Sequence, residues 1–226
     1  PPAPADTEIV LSDEQEAVIR AASAGHCILV TGPAGTGKSV ILRKLREKWS
    51  GRLPVTATTG IAAVAVEGVT IHSWAGLGMG DAKASTIAHK IMQERSKPWN
   101  NITKFNRLAI DEVSMMSASM CDKIDEVFRL VRENDRPFGG MQMIMFGDFL
   151  QLPPVIRDAE EEARGVFAFQ SQAWRNAKVR VAVLRKIFRQ RDEQFSRALS
   201  DIRVGNVSDD ARRLLISRYR QPDPNP

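Results

Sequence analysis

Residues 32–39 read Gly32-Pro33-Ala34-Gly35-Thr36-Gly37-Lys38-Ser39, directly after the apolar run Cys27-Ile28-Leu29-Val30-Thr31. The stretch fits the phosphate-binding pattern G-x-x-x-x-G-K-[ST] at every fixed position. Glycines at 32, 35 and 37 let the backbone curl into a nest whose N–H groups point at phosphate oxygens. Lys38 then supplies a point charge for the β and γ phosphates. Ser39 offers a hydroxyl to Mg²⁺, and the helix that starts there aims its positive end inward. The expected context is strand, loop, helix, with ATP and Mg²⁺ held by residues 32–39.

Working outward, 226 residues with 43% hydrophobic content suffice for one well-buried α/β domain with appendages and not for two. The formal charge of +5 is compatible with a nucleic-acid partner and equally with a basic enzyme that never meets one. Cys27 and Cys121 are the only cysteines, one at a strand start and one inside a helix. They read as buried thiols of a reducing, intracellular compartment and exclude a disulfide framework or cysteine metal cluster. With no apolar run of about 18 residues and no charged-then-apolar leader, neither a membrane partner nor a secretory signal is expected. The proline-rich ends, Pro1-Pro2-Ala3-Pro4 and Gln221-Pro222-Asp223-Pro224-Asn225-Pro226, have linker character and suggest a piece of a longer chain.

Ser12 can cap a helix with Gln15 at its third position, and Ala17, Val18 and Ala21 continue it at helical spacing. Five strands are expected, at residues 27–31, 54–58, 107–111, 141–147 and 179–183, with the clearest helices near 38–49, 117–134 and 193–203. Residues 76–103 read as a helical insertion, best between Thr86 and Arg95, and Met141, Met143 and Met145 as one core-facing side of a strand. Such alternation means an α/β fold with a mainly parallel sheet covered on both faces and ligands beyond the strands' carboxyl ends.

The run Leu108-Ala109-Ile110-Asp111-Glu112 supplies the acidic strand end that a P-loop needs. Asp111 would complete the Mg²⁺ shell opposite Ser39, and Glu112 would polarise a water for attack on the γ-phosphate. A kinase would exclude that water, so the second acid favours hydrolysis. Gln151, in Gly147-Asp148-Phe149-Leu150-Gln151-Leu152-Pro153-Pro154, either touches the γ-phosphate and attacking water or belongs to a polar turn stopped by prolines.

These motifs, together with Thr56-Ala57-Thr58-Thr59-Gly60-Ile61-Ala62-Ala63, Thr70-Ile71-His72-Ser73-Trp74 and Leu184-Arg185-Lys186-Ile187-Phe188-Arg189-Gln190, occur in the order seen in helicase superfamily one. The chain resembles the RecD-like branch of that superfamily and, within it, the Pif-type DNA helicases. Similarity extends through Asp122 to Gln142, a signature segment of the group, and through Phe195, Leu199, Ile202-Arg203 and Gly205. It covers roughly residues 9–215.

The resemblance implies the first RecA-like domain, a three-layer sandwich, of an ATP-dependent 5′-to-3′ helicase that works on single-stranded DNA and DNA junctions in repair, recombination and telomere maintenance. A eukaryotic parent would work in nucleus or mitochondrion, a bacterial one in the cytoplasm. It implies that Gln15 reads the adenine edge, its other role being the helix cap. Arg189 would reach the γ-phosphate, or be one more solvated charge. Thr59, Gly60, His72, Ser73 and Trp74 would line the single-strand path, Trp74 as a stacking platform unless it is core. Arg212, Arg213, Arg218 and Arg220 form either an extended DNA track or a solvated face.

The implied organisation is linker over 1–8, motor domain over 9–215, and linker over 216–226 toward a second RecA-like domain absent from this sequence. That domain's arginine is worth ~10³–10⁵ in rate, so weak ATP hydrolysis and no unwinding are expected of this chain alone. Two other classes stay open at this point: a nucleotide-gated DNA-binding module, and a P-loop ATPase acting on protein partners.

Overall fold

A computed structural model describes residues 10–78, 82–156, 158–188 and 193–219. Helix α1 (Asp13–Ser23) starts at the expected capping box, Ser12 Oγ accepting from Gln15 N. Strand β1 (Ile28–Thr31) leads through the glycine loop into α2 (Lys38–Lys48). Strand β2 (Val55–Ala57), α3 (Gly60–Ala65), β3 (Val69–Thr70) and α4 (Ile71–Ala75) follow. The insertion folds as α5 (Ala84–Glu94) and α6 (Lys97–Lys104), which bring the chain to β4 (Arg107–Asp111). After β4 come α7 (Ala118–Val131), β5 (Gln142–Phe146), α8 (Ala159–Arg164), α9 (Gln172–Asn176) and β6 (Arg180–Val183). Helices α10 (Glu193–Arg203) and α11 (Asp209–Tyr219) end the described chain.

The strands form one sheet in the order β3-β2-β4-β5-β1-β6, every pairing parallel. Its strands sort their residues by parity. Leu29, Leu108, Ile110, Met143 and Met145 face a core shared with α5 and α7, whereas Ile28, Val30, Ala109, Ile144 and Phe146 face one shared with α1 and α2. Both faces are covered, which is why the central strands read as continuous apolar runs. Met141, Met143 and Met145 lie together in the first core, as expected. The first core owes its largest helix to spacing, because Cys121, Ile124, Val127, Phe128 and Val131 recur on one side of α7.

Three expectations change. A sixth strand, β3, exists at the sheet edge; at two residues with Val69 exposed it carries no alternation to read. Helix α7 is shorter than the span 117–134 because Ser117 caps it and Arg132 closes it. Residues 216–219, expected as linker, belong to α11.

The candidate nucleotide site and the groove beside it

All strands run the same way, so their carboxyl ends share one rim. Three of them, β4, β5 and β1, are adjacent and deliver Asp111, Asp148 and the glycine loop to one place. In the loop Gly32, Gly35 and Gly37 take φ of 151°, 81° and 87°. Gly37 is favoured by its φ, and a Cβ there would lie 2.3 Å from Gln15 Nε2 and displace that side chain from its bond to the loop.

The loop is braced from within and without. Thr36 Oγ1 donates to Pro33 O (2.9 Å), and Lys38 Nζ donates to Gly32 O (2.7 Å) and Pro33 O (3.2 Å). Gln15, buried, accepts from Ser12 N with Oε1 and donates to Thr36 O with Nε2 (3.1 Å). Its side chain therefore performs the cap and supports the loop from below. Phe188 N donates to Gly35 O (2.8 Å), so the segment after β6 closes over the loop.

A cavity of about 470 Å³ opens here, lined among others by Lys38, Ser39, Glu112, Asp148 and Gln151. Burial lowers the pKa of Lys38, and the carboxylates of Asp148, Glu112 and Asp111 act against that shift. Burial likewise raises Asp111 and Glu112, Glu112 further through the neighbouring Asp111 charge. Glu112 adopts φ 54° and donates its N–H to Asp111 Oδ1 (3.0 Å). For a residue with a Cβ, that left-handed conformation costs on the order of 1–3 kcal/mol and persists only where neighbours impose it. The hydroxyl of Ser39 and the carboxylate of Asp111 are hard oxygen donors of the kind Mg²⁺ takes while keeping waters and phosphate oxygens, so the residues fit that ion.

Two members of the site escaped the sequence reading. Asp148, 1% exposed, accepts two hydrogen bonds from Arg203 of α10, Nε to Oδ2 at 2.6 Å and Nη2 to Oδ1 at 2.7 Å. It also accepts from Gln151 Nε2 (3.1 Å) and Leu150 N (3.2 Å). Burial pushes its carboxyl pKa up, but the bonds from Arg203, Gln151 and Leu150 outweigh it and leave the group below its ordinary value. A signal for Asp148 existed, since it follows an apolar strand as Asp111 does. Arg203 had none, because nothing local ties it to a strand end 55 residues earlier. Arg189 lies outside the described residues.

A second cavity, about 380 Å³, lies on the other side of the turn at residues 111–116, lined by Thr58, Thr59, His72, Met115, Lys123 and Pro154 among others. Thr59 caps α3, accepting from Ala62 N (3.2 Å), and Gly60 is exposed at the helix start. The expected single-strand residues are thus divided. Thr59 and His72 meet in this groove, whereas Ser73 lines a separate cavity with Arg46 and Lys97. Trp74 is 6% exposed and packs on Phe105 and Phe128, with ring centroids 6.4 and 6.1 Å apart. It packs as core, outside the groove at Thr59 and His72, and the little of it that is accessible lines the cavity beside Ser73.

A glycine loop between strand and helix, with its lysine set against acids from neighbouring strand ends, defines a P-loop nucleoside triphosphatase site. The PIF1-like helicase family profile matches residues 10–213, and the chain belongs to that family. It is 43% identical over 213 residues to the ATP-dependent DNA helicase PIF1 of Saccharomyces cerevisiae (strain YJM789), covering 91% of this chain and 24% of that protein. The Homo sapiens protein of the same name is 41% identical, covering 92% and 32% respectively.

Among solved structures, the Pif1 helicase from Candida albicans superposes with a TM-score of 0.84 at 40% identity, over 95% of this chain and 48% of that one. Bacteroides Pif1 in complex with ADP-AlF3 and ssDNA gives 0.78 at 34%, over 92% and 49%. The fold is therefore the RecA-like one expected. The chain spans a quarter to a third of the curated relatives' length and about half of the solved chains.

Proposed function

We propose that this chain is the nucleotide-binding first motor domain of an ATP-dependent 5′-to-3′ DNA helicase, and that single-stranded DNA crosses the groove at Thr59 and His72. One observation carries the reading: a single turn, residues 111–116, forms a wall of both the P-loop cavity and the groove. The relatives' names and the ADP-AlF3 and ssDNA complex of Bacteroides Pif1 support it.

On this reading Lys38 exchanges its two loop carbonyls for β and γ phosphate oxygens. Ser39 and Asp111 would hold Mg²⁺, which would supply charge neutralisation at the phosphates. Glu112 orients and deprotonates the attacking water, and Gln151, which lines the cavity with its amide bonded to Asp148, senses the γ-phosphate. The second motor domain completes the phosphate site with its own arginine.

The test is steady-state ATP hydrolysis with and without single-stranded DNA, by this chain and by a form extended through the second domain. Little turnover here and strong DNA-stimulated turnover in the extended form, lost by about 10²-fold or more in Lys38→Ala and Glu112→Gln, is the expected result. Full turnover in Glu112→Gln would remove the general-base role. Salt-sensitive DNA binding without turnover even in the extended form would leave a nucleotide-gated binding module instead.

A further inference from the structure

Thr58 lines the groove and hydrogen-bonds to the backbone of Glu112, a residue that lines the nucleotide cavity. Strand β2 pairs with β4, Ala57 opposite Asp111, and Thr58 extends that pairing past the last ladder residue. Its N–H donates to Asp111 O (3.2 Å) and its Oγ1 donates to Glu112 O (2.8 Å). The same Glu112 carbonyl accepts from Met115 N (3.1 Å), which closes the short turn Val113–Met115.

The orientation of that carbonyl and the φ of 54° together decide where the Glu112 side chain points. Beyond Glu112 the turn is tightly packed, since a Cβ on Gly147 would meet Val113 N and Cγ1 at 3.0 Å. Ser114, 1% exposed, has an Oγ with no hydrogen-bond partner among the described residues. A left-handed glutamate followed by an unpartnered buried hydroxyl marks a turn held in place by its surroundings. The Thr58 hydroxyl is the side-chain group that does so from the groove side, where Thr58 and Thr59 face Met115 and Met116.

We infer that Thr58 is a positioning residue that couples occupancy of the groove to hydrolysis. A strand lying across Thr58 and Thr59 moves the hydroxyl that holds Glu112 O, and so turns the Glu112 carboxylate toward or away from the attacking water. This rests on the proposed function, in which DNA lies in the groove and ATP at the P-loop.

The experiment uses the full-length protein, wild type and Thr58→Val, Thr58→Ala and Thr58→Ser. It measures ATP hydrolysis with saturating oligo(dT), the KM for ATP, and oligo(dT) affinity by fluorescence anisotropy. Thr58→Val keeps the shape and loses the hydroxyl; Thr58→Ala gives the same readout should valine lower the thermal midpoint. DNA-stimulated kcat is expected to fall about tenfold while oligo(dT) affinity and KM for ATP change less than about threefold, with Thr58→Ser restoring most of the rate.

Unchanged stimulation in both hydroxyl-free variants overturns the inference. So does a parallel loss of oligo(dT) affinity, which would make Thr58 a plain DNA contact. Failure of the underlying reading shows separately, as a wild-type protein that oligo(dT) neither binds nor stimulates.

Discussion

Asp148 shows how one carboxylate can tie a distant helix to the rim of a cavity. Buried beside Lys38 and bonded twice to Arg203, it fixes α10 against the nucleotide cavity and presents Gln151 to it. Its folded pKa is depressed, so the stability it contributes is present above the unfolded value near ~3.9 and is lost as pH falls through the lower folded value. Arg203→Ala should therefore destabilise the chain by about 1.5–3 kcal/mol at neutral pH, measured by urea unfolding. The difference from wild type should shrink as pH falls below the unfolded carboxylate value near ~3.9 and on through the lower folded value, and a deficit of the same size at every pH would show that the packing of Arg203 matters rather than its charge pair. At this scale Asp111 and Glu112 were legible because the P-loop demands acids at a strand end. Asp148 obeys the same rule two residues past the end of its strand, and Arg203 is unreadable because its partner lies across the fold.

Among the elements, α7 and the turn after it show why a family signature can be structural. Arg132, at the end of α7, donates to Gly139 O (2.7 Å), Ile102 O (2.5 Å), Phe105 O (2.8 Å) and Asn106 Oδ1 (3.1 Å). It joins α6, the approach to β4 and the turn Pro137–Gly140 at one guanidinium. Arg132→Met keeps the stem and strips the carbonyls of their donor, and should cost about 2–4 kcal/mol, seen as a fall in thermal midpoint of roughly 5–10 °C. A midpoint unchanged by the substitution would mean that water serves those carbonyls as well.

Gly139→Ala should be at least as damaging. Its φ is +61° and a Cβ would lie 2.6 Å from Phe128 O, a backbone atom that cannot swing aside. Long periodic elements such as α7 and α10 were readable from spacing. The five-residue α4 was not, being shorter than the window over which a helical period can be recognised, and so the inward turn of Trp74 was hidden.

Taken whole, the molecule is a platform with two recesses on one rim, and the comparisons show it to be about half of the solved chains it superposes on. Binding of labelled oligo(dT) to this chain should weaken steeply with salt, with a slope proportional to the phosphates neutralised. A flat salt response would count against DNA in the groove. The parallel sheet was legible because βα alternation leaves few topologies; the sharing of one wall by both recesses was not, because it depends on how Thr58 meets Glu112 in space.

The order of the strands also sets a timetable. Strand β1, which carries the phosphate loop, has β5 and β6 as its neighbours, Ile28 opposite Ile144 and Arg180. Both partners lie more than about a hundred residues downstream, so at ~5–20 residues per second β1 leaves the ribosome on the order of ten seconds before either arrives. During that interval an apolar strand and a glycine-rich loop have nothing to pair with, and any transcript ending before β6 leaves one edge of β1 open for good.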